Sequence, residues 1–143
     1  MGRVSELLEK AQAKRGIVMD ETYIKMCKEA KEIQELWKPK KGDKALLDSG
    51  FIDYIDELWD KKGFTWLPRQ EDLQEIFQEA HGNGIHVSTV VNLFYMWFWD
   101  EYNNKQKDCC EQYDWNVLWL CFVMERLYGK YWNSKTESWE VIT

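Results

Sequence analysis

Apolar residues recur at two different spacings along this chain, and the changes of spacing divide it into segments. Between residues 21 and 37, Tyr23, Met26, Cys27, Ala30, Ile33, Leu36 and Trp37 return every three or four positions. That is the stripe of an amphipathic helix. Asp20 stands at its N-cap position, Glu21 and Lys25 are spaced as an ion pair on its outer face, and Pro39 ends it. A narrower stripe of Val4, Leu7, Leu8 and Ala11 predicts a helical extension over residues 1–20, ahead of a single domain over 21–143.

From residue 45 to 68 the pattern shifts to short aromatic and β-branched pieces separated by polar connectors, "ALLD-SG-FIDYIDELW-DKKG-FTWLP". This predicts a meander of two or three short strands. "FIDYIDELW" also has helical spacing at Ile52, Ile55 and Trp59, and the strand reading is preferred. A helix over 69–80 follows, with Leu73, Ile76, Phe77 and Ala80 on one face and "HGNG" as its stop. Ser88 is placed to cap a long helix reaching about residue 104, and Asp114 to cap another that ends at Gly129, a suitable C′ residue. The tail "KYWNSKTESWEVI" reads as a hairpin with Trp132 and Trp139 on its two arms. The expected fold is α+β: a mainly helical single domain of four to five helices, with a small antiparallel β-sheet from residues 45–67 and a C-terminal hairpin.

Two of the predicted helices are apolar nearly all round. In the helix that contains "VVNLFYMWFWDEY", Val87, Val91, Phe94 and Phe98 share what reads as the central face, flanked by Leu93 and Trp97 on one side and by Tyr95, Trp99 and Tyr102 on the other. "WNVLWLCFVMERLY" has only Asn116, Glu125 and Arg126 as clearly polar members. Such helices are expected at the centre of the core. Composition changes this picture, because nine of the 143 residues are tryptophan. Two helices this apolar exceed what a small domain covers from within, so Tyr95, Trp99 and Tyr102 are candidates for a subunit interface or partner groove. A base-stacking platform ranks below that reading, because the polar neighbours are Asp100 and Glu101 rather than Lys or Arg.

Charge and chemistry narrow the function classes further. The formal net charge of −6 argues against nonspecific binding to nucleic acid or to an anionic membrane surface. The start of the chain is charged from Arg3 onward, unlike a signal peptide, and the longest apolar run, near residues 90–99, is too short to span a bilayer. The four cysteines, Cys27, Cys109, Cys110 and Cys121, do not form a secreted disulfide framework, which points to free thiols in a reducing cytoplasm. Only two histidines occur, and His81 at a helix C-terminus has a structural explanation. No phosphate loop, nucleophile elbow or paired metal-ligand spacing is present. A zinc site from Cys109, Cys110 and the histidines ranks low, because adjacent cysteines seldom share one tetrahedral metal. No catalytic residue, metal or cofactor is expected.

One position breaks a local rule. In "TWLPRQEDLQEIFQEAHG" the N-cap of the 69–80 helix is Arg69, where Ser, Thr, Asp or Asn stabilises best. The structural explanation is that the guanidinium stacks on Trp66 or another ring, or pairs with Asp72, while Gln70 ties down backbone. The functional one is that Arg69 and Gln70 present donors to a partner, framed by Trp66.

Three stretches together resemble a known group: "CKEAKEIQELWKPKKGD" (27–43), "WLPRQEDLQEIF" (66–77) and "LWLCFVMERLYGKYWN" (118–133). They are similar to small proteins of unknown function encoded by phages and prophages of Gram-positive bacteria, which carry a Trp-x-Pro-Arg-Gln stretch and a Tyr-Gly-Lys-aromatic-Trp-Asn tail. The matching residues are Trp37, Lys38 and Pro39, then Trp66, Pro68, Arg69 and Gln70, and finally Tyr128, Gly129, Trp132 and Asn133. The resemblance runs from about residue 22 to 141; the first twenty residues and the "DCC" loop depart from it. It implies a bacterial cytoplasm during phage growth or lysogeny and no established activity. Two functions are therefore expected. The first is a non-enzymatic interaction module that binds a host or phage protein, or a second copy of itself, through Trp66, Arg69, Gln70, Tyr95, Trp99 and Tyr102. The alternative is a nucleic-acid-associated accessory factor in phage replication or regulation, using Lys38, Lys40, Lys41, Lys44 and Arg69 against phosphates.

Overall fold

The structure is a computed structural model that describes residues 21–47, 49–56, 63–82, 84–100 and 115–142. Among these the order is α1 (Glu21–Glu29), α2 (Lys31–Leu36), β1 (Lys44–Leu46), β2 (Ile52–Tyr54), β3 (Thr65–Trp66), α3 (Gln70–Ala80), α4 (Val87–Asp100), α5 (Trp115–Tyr128), β4 (Lys130–Asn133) and β5 (Ser138–Val141). The fold is α+β as expected, with a three-stranded antiparallel sheet and a two-stranded C-terminal hairpin. The predicted N-terminal helix, the Asp20 and Asp114 caps, Trp59, Tyr102, Cys109 and Cys110 lie outside the described residues.

The single helix predicted over 21–37 is two. Ala30, at φ −82° and ψ 72°, leaves the helical region between α1 and α2. Its N–H is shared between the Met26 and Cys27 carbonyls at 3.0 and 3.2 Å, and the Gln34 side chain takes the Cys27 carbonyl from the other side at 3.0 Å. No glycine or proline marks the break. It is set by what Gln34 reaches, and Ile33 and Trp37 beyond it remain in the core with Tyr23, Met26 and Cys27.

The strands are not a meander. β1 is central, pairing β2 on one edge (Ala45 opposite Asp53) and β3 on the other (Ala45 opposite Trp66). The chain therefore crosses past β1 between its second and third strands. Ile52–Tyr54 of the ambiguous segment is strand, as preferred. The ladder continues beyond the strands, where Ile55 N–H donates to the Asp43 carbonyl at 2.6 Å and Leu67 N–H to the Lys44 carbonyl at 2.9 Å.

α5 is buried without a break from Val117 to Met124 and forms the centre of the core. α3 packs on it through Leu73, Ile76 and Phe77, while Ala80, expected on that face, is exposed. α4 departs from expectation. Its buried residues are Val90, Phe94 and Trp97, whereas Val87 and Val91, assigned to the core face, are exposed. Only α3 and α5 among the described elements pack extensively on α4, so the side they touch becomes its inner face. A helix apolar all round offers no internal clue to which side that is. Its start also differs: Val87 begins the helix and the His86 carbonyl accepts the Val90 N–H at 3.1 Å, so Ser88 lies inside the first turn. Phe94 stacks on Trp119 with centroids 4.0 Å apart, and Trp97 Nε1 donates to Glu125 at 2.6 Å, fixing α4 against α5.

The hairpin closes the fold. Gly129, at φ +64°, ends α5 in the left-handed region that glycine adopts without steric penalty. Trp132 and Trp139 are directly paired across β4 and β5, edge to face at 5.3 Å. Trp139 Nε1 then donates to the Met26 carbonyl at 2.9 Å, and Lys130 pairs with Glu32 at 2.5 Å, tying the hairpin to α1 and α2. Cys27 and Cys121 are buried free thiols, and burial pushes the Cys27 thiol far above its ordinary pKa. No helix among the described residues is long and apolar enough to cross a membrane.

Candidate functional site

The residues singled out in the sequence fall into two places, one around Arg69 and one on α4. Arg69 is the N-cap of α3, in extended conformation. A guanidinium has no acceptor, so it cannot bond the free N–H groups of the helix start. The compensating bond runs the other way, with Asp72 Oδ2 accepting the Arg69 N–H at 2.9 Å. The guanidinium lies 5.9 Å from the centre of the Tyr54 ring, and its Nη2 donates to the Gly42 carbonyl. Arg69 therefore joins α3 to the three-stranded sheet, stacking on Tyr54 rather than on Trp66. Lys44 shares the same ring, 5.7 Å from its centre.

Trp66 is 6% exposed and stacks parallel to Trp37, with centroids 6.0 Å apart and planes within 4°. Its backbone is held by Gln34, whose Oε1 accepts the Trp66 N–H and whose Nε2 donates to the Trp66 carbonyl, each at 2.8 Å. The two rings border a cleft of about 250 Å³ whose lining includes Lys38, Lys40, Asp43, Asp72, Glu75 and Glu79. Asp43 is 2% exposed. Its Oδ2 accepts from Trp37 Nε1 at 2.9 Å and from the Lys40 N–H at 3.0 Å, and its Oδ1 has no partner. Burial raises the Asp72 pKa above the usual aspartate value, with the Asp43 charge adding to the rise against the Arg69 N–H bond. Asp43 and Gln34 were not picked out by sequence reasoning. The one available signal was an acidic residue set directly after Gly in the lysine-rich "KPKKGDK" turn.

The second place is the outward side of α4. Val87, Val91, Tyr95 and Trp99, one turn apart, form a ridge in which every member is between 44% and 61% exposed, and Met96 stands beside it. The Tyr95 and Trp99 rings stack at 6.5 Å and 13°. Exposed Trp115, at the start of α5, lies against Phe94 at 5.8 Å. A largely apolar groove of about 190 Å³ runs beside the ridge, lined by Gln70, Val91, Phe94, Tyr95, Trp115 and Trp119. It brings Gln70 and Tyr95 together, two residues far apart in the chain. Trp119, buried and part of that lining, has an indole N–H without an acceptor.

The set proposed from sequence thus divides: Gln70, Tyr95 and Trp99 share the α4 surface, while Trp66 and Arg69 belong to the sheet–α3 junction. Of the lysines, Lys38 and Lys40 line an acid-rich cleft, Lys44 sits on Tyr54 and Lys41 is exposed. Comparison of the chain with protein-family models, with curated proteins and with solved structures finds no significant match.

Proposed function

We propose that this chain is a non-enzymatic protein-interaction module whose docking surface is the outward ridge of α4 and the groove beside it. The carrying observation is that Val87, Val91, Tyr95 and Trp99 all stand exposed in one row, flanked by Met96 and Trp115. A row of residues four apart is the ridge that packs into the groove of a second helix. Tyrosine, tryptophan and methionine are the residue types enriched where proteins meet. The occupant is a protein, either a host or phage partner or a second copy of this chain, and the sequence resemblance supports a phage or prophage setting.

The test is capture from a Gram-positive host lysate, with and without nuclease, together with sedimentation of the purified protein. Wild-type chain should retain a protein partner after nuclease treatment, or sediment as an oligomer. A Tyr95→Lys, Trp99→Lys variant should lose both properties. A monomer that retains nothing, or a variant that behaves like wild type, would remove the proposal. For the nucleic-acid alternative, Lys38 and Lys40 share their cleft with four carboxylates that repel phosphate.

A further inference from the structure

The cleft between the Trp37–Asp43 turn and α3 shares no residue with the α4 ridge, and its chemistry points elsewhere. We propose that it binds a guanidinium group, the planar cation that ends an arginine side chain.

Three observations carry this. The first is the unpartnered Oδ1 of Asp43. A buried carboxylate oxygen without a donor is costly, and an ionised carboxylate can only accept, so the missing group is a donor. The other oxygen is already used twice, by Trp37 Nε1 and the Lys40 N–H, which holds the carboxylate in one orientation. Asp43 is therefore a fixed acceptor rather than a side chain free to turn toward water.

The second is charge. Asp43, Asp72, Glu75 and Glu79 line the cleft against Lys38 and Lys40, a formal excess of two negative charges. Burial raises the Asp72 pKa, and the Asp43 charge adds to the rise. An incoming cation offsets the charge excess. Among the described residues no group of three or more His, Cys, Asp or Glu side chains is placed to hold a metal ion, which favours an organic cation.

The third is shape and surface. At about 250 Å³ the cleft lies below the range of roughly 300–1,000 Å³ typical of drug-sized ligand sites, and suits the end of one side chain. Two of its borders are the parallel indoles of Trp37 and Trp66, and aromatic faces favour the flat, weakly hydrated guanidinium over an ammonium. The indole N–H of Trp66 also lacks an acceptor.

The test is a titration of the intact protein with N-acetyl-arginine amide, ethylguanidinium, N-acetyl-lysine amide and N-acetyl-citrulline amide, the last a neutral isostere. The readout is the indole N–H resonances of Trp37 and Trp66. Both guanidinium probes should shift these resonances saturably, with citrulline at least about tenfold weaker because it lacks the charge. Tighter binding of the arginine amide than of ethylguanidinium assigns the site to an arginine residue in a peptide; equal binding assigns it to the guanidinium alone. Asp43→Asn keeps an acceptor for Trp37 and the Lys40 N–H but places an amide donor at the open position, and should lose about tenfold or more in affinity. If that variant fails to fold, the exposed Glu75→Gln, Glu79→Gln pair should still weaken binding, and Lys40→Met should tighten it by removing a competing cation. Equal response to arginine and citrulline, a folded Asp43→Asn with undiminished affinity, or no saturable shift up to about 50 mM would overturn the assignment. The Asp43 oxygen would then be served by trapped water.

Discussion

The side-chain amide of Gln34 pairs with both backbone polar groups of Trp66, accepting from its N–H and donating to its carbonyl at 2.8 Å each. It does for the outer edge of β3 what another strand would do, satisfying groups that would otherwise be left open at a sheet edge. The same Nε2 also reaches the Cys27 carbonyl at 3.0 Å, so one amide spans the break between α1 and α2 and the third strand.

Gln34→Ala should therefore cost about 2–3 kcal/mol, the sum of three part-buried hydrogen bonds left unmade. Urea unfolding of the variant is the check. Gln34→Glu keeps the acceptor for Trp66 N–H but sets a carboxylate against two carbonyl oxygens. That raises the carboxyl pKa in the folded state, so this variant should be destabilised at neutral pH and recover stability as pH falls through the raised value.

Arg69 answers for the missing cap through Tyr54 and the Gly42 carbonyl. Arg69→Ala should lose about 1–2 kcal/mol, combining a charge-assisted hydrogen bond with a cation–π contact. Arg69→Lys should recover little of this, because a point charge lacks the planar fork. Arg69→Ser gives up the same contacts but supplies a cap worth about 1 kcal/mol, so it should lie closer to wild type than the alanine variant. Thermal unfolding of the three variants orders them.

Asp72 should leave a signature in the pH dependence of stability. Its folded-state pKa is raised, so between the unfolded value and the folded one the native state holds the proton more tightly. Stability then falls as pH rises through that window, and the loss is complete above the folded pKa. Asp72→Asn still accepts the Arg69 N–H but does not titrate, and should flatten the slope. Asp72→Ala also loses the bond, and should be less stable than the asparagine variant by about 1 kcal/mol. Denaturant unfolding at a series of pH values between 3 and 8 separates these outcomes.

On the α4 ridge, stability and association should separate. Tyr95→Ser or Trp99→Ser changes an exposed side chain and should shift the unfolding free energy by within about 0.5 kcal/mol, since neither ring fills the core. The same changes should abolish partner capture or self-association. A large loss of stability would instead mark the ridge as part of the domain's own packing.

Much of the architecture was legible in the chain. The α3 stripe, the stop after it, the Gly129 turn and the Trp132–Trp139 hairpin all follow from local spacing and from residues with one dominant backbone preference. The candidate sites were less legible. Tyr95 and Trp99 stood out because aromatic residues exceeded the faces available to bury them. Asp43 did not, because one aspartate in a lysine-rich turn reads as solvated until the turn is folded over Trp37.

The sequence alone determined which segments coil, which extend and where α3 and α5 stop, because those choices depend on neighbours within a few residues. Tertiary structure decided the rest. It placed β3 beside β1 instead of β2, broke the first helix at Ala30 so that Gln34 reaches Trp66, and turned Val90 rather than Val87 inward on α4. It also buried one carboxylate oxygen of Asp43 without a partner. Each of these depends on which surfaces meet, and a helix apolar on every side, or an amide that could point anywhere, carries no local record of what it will touch.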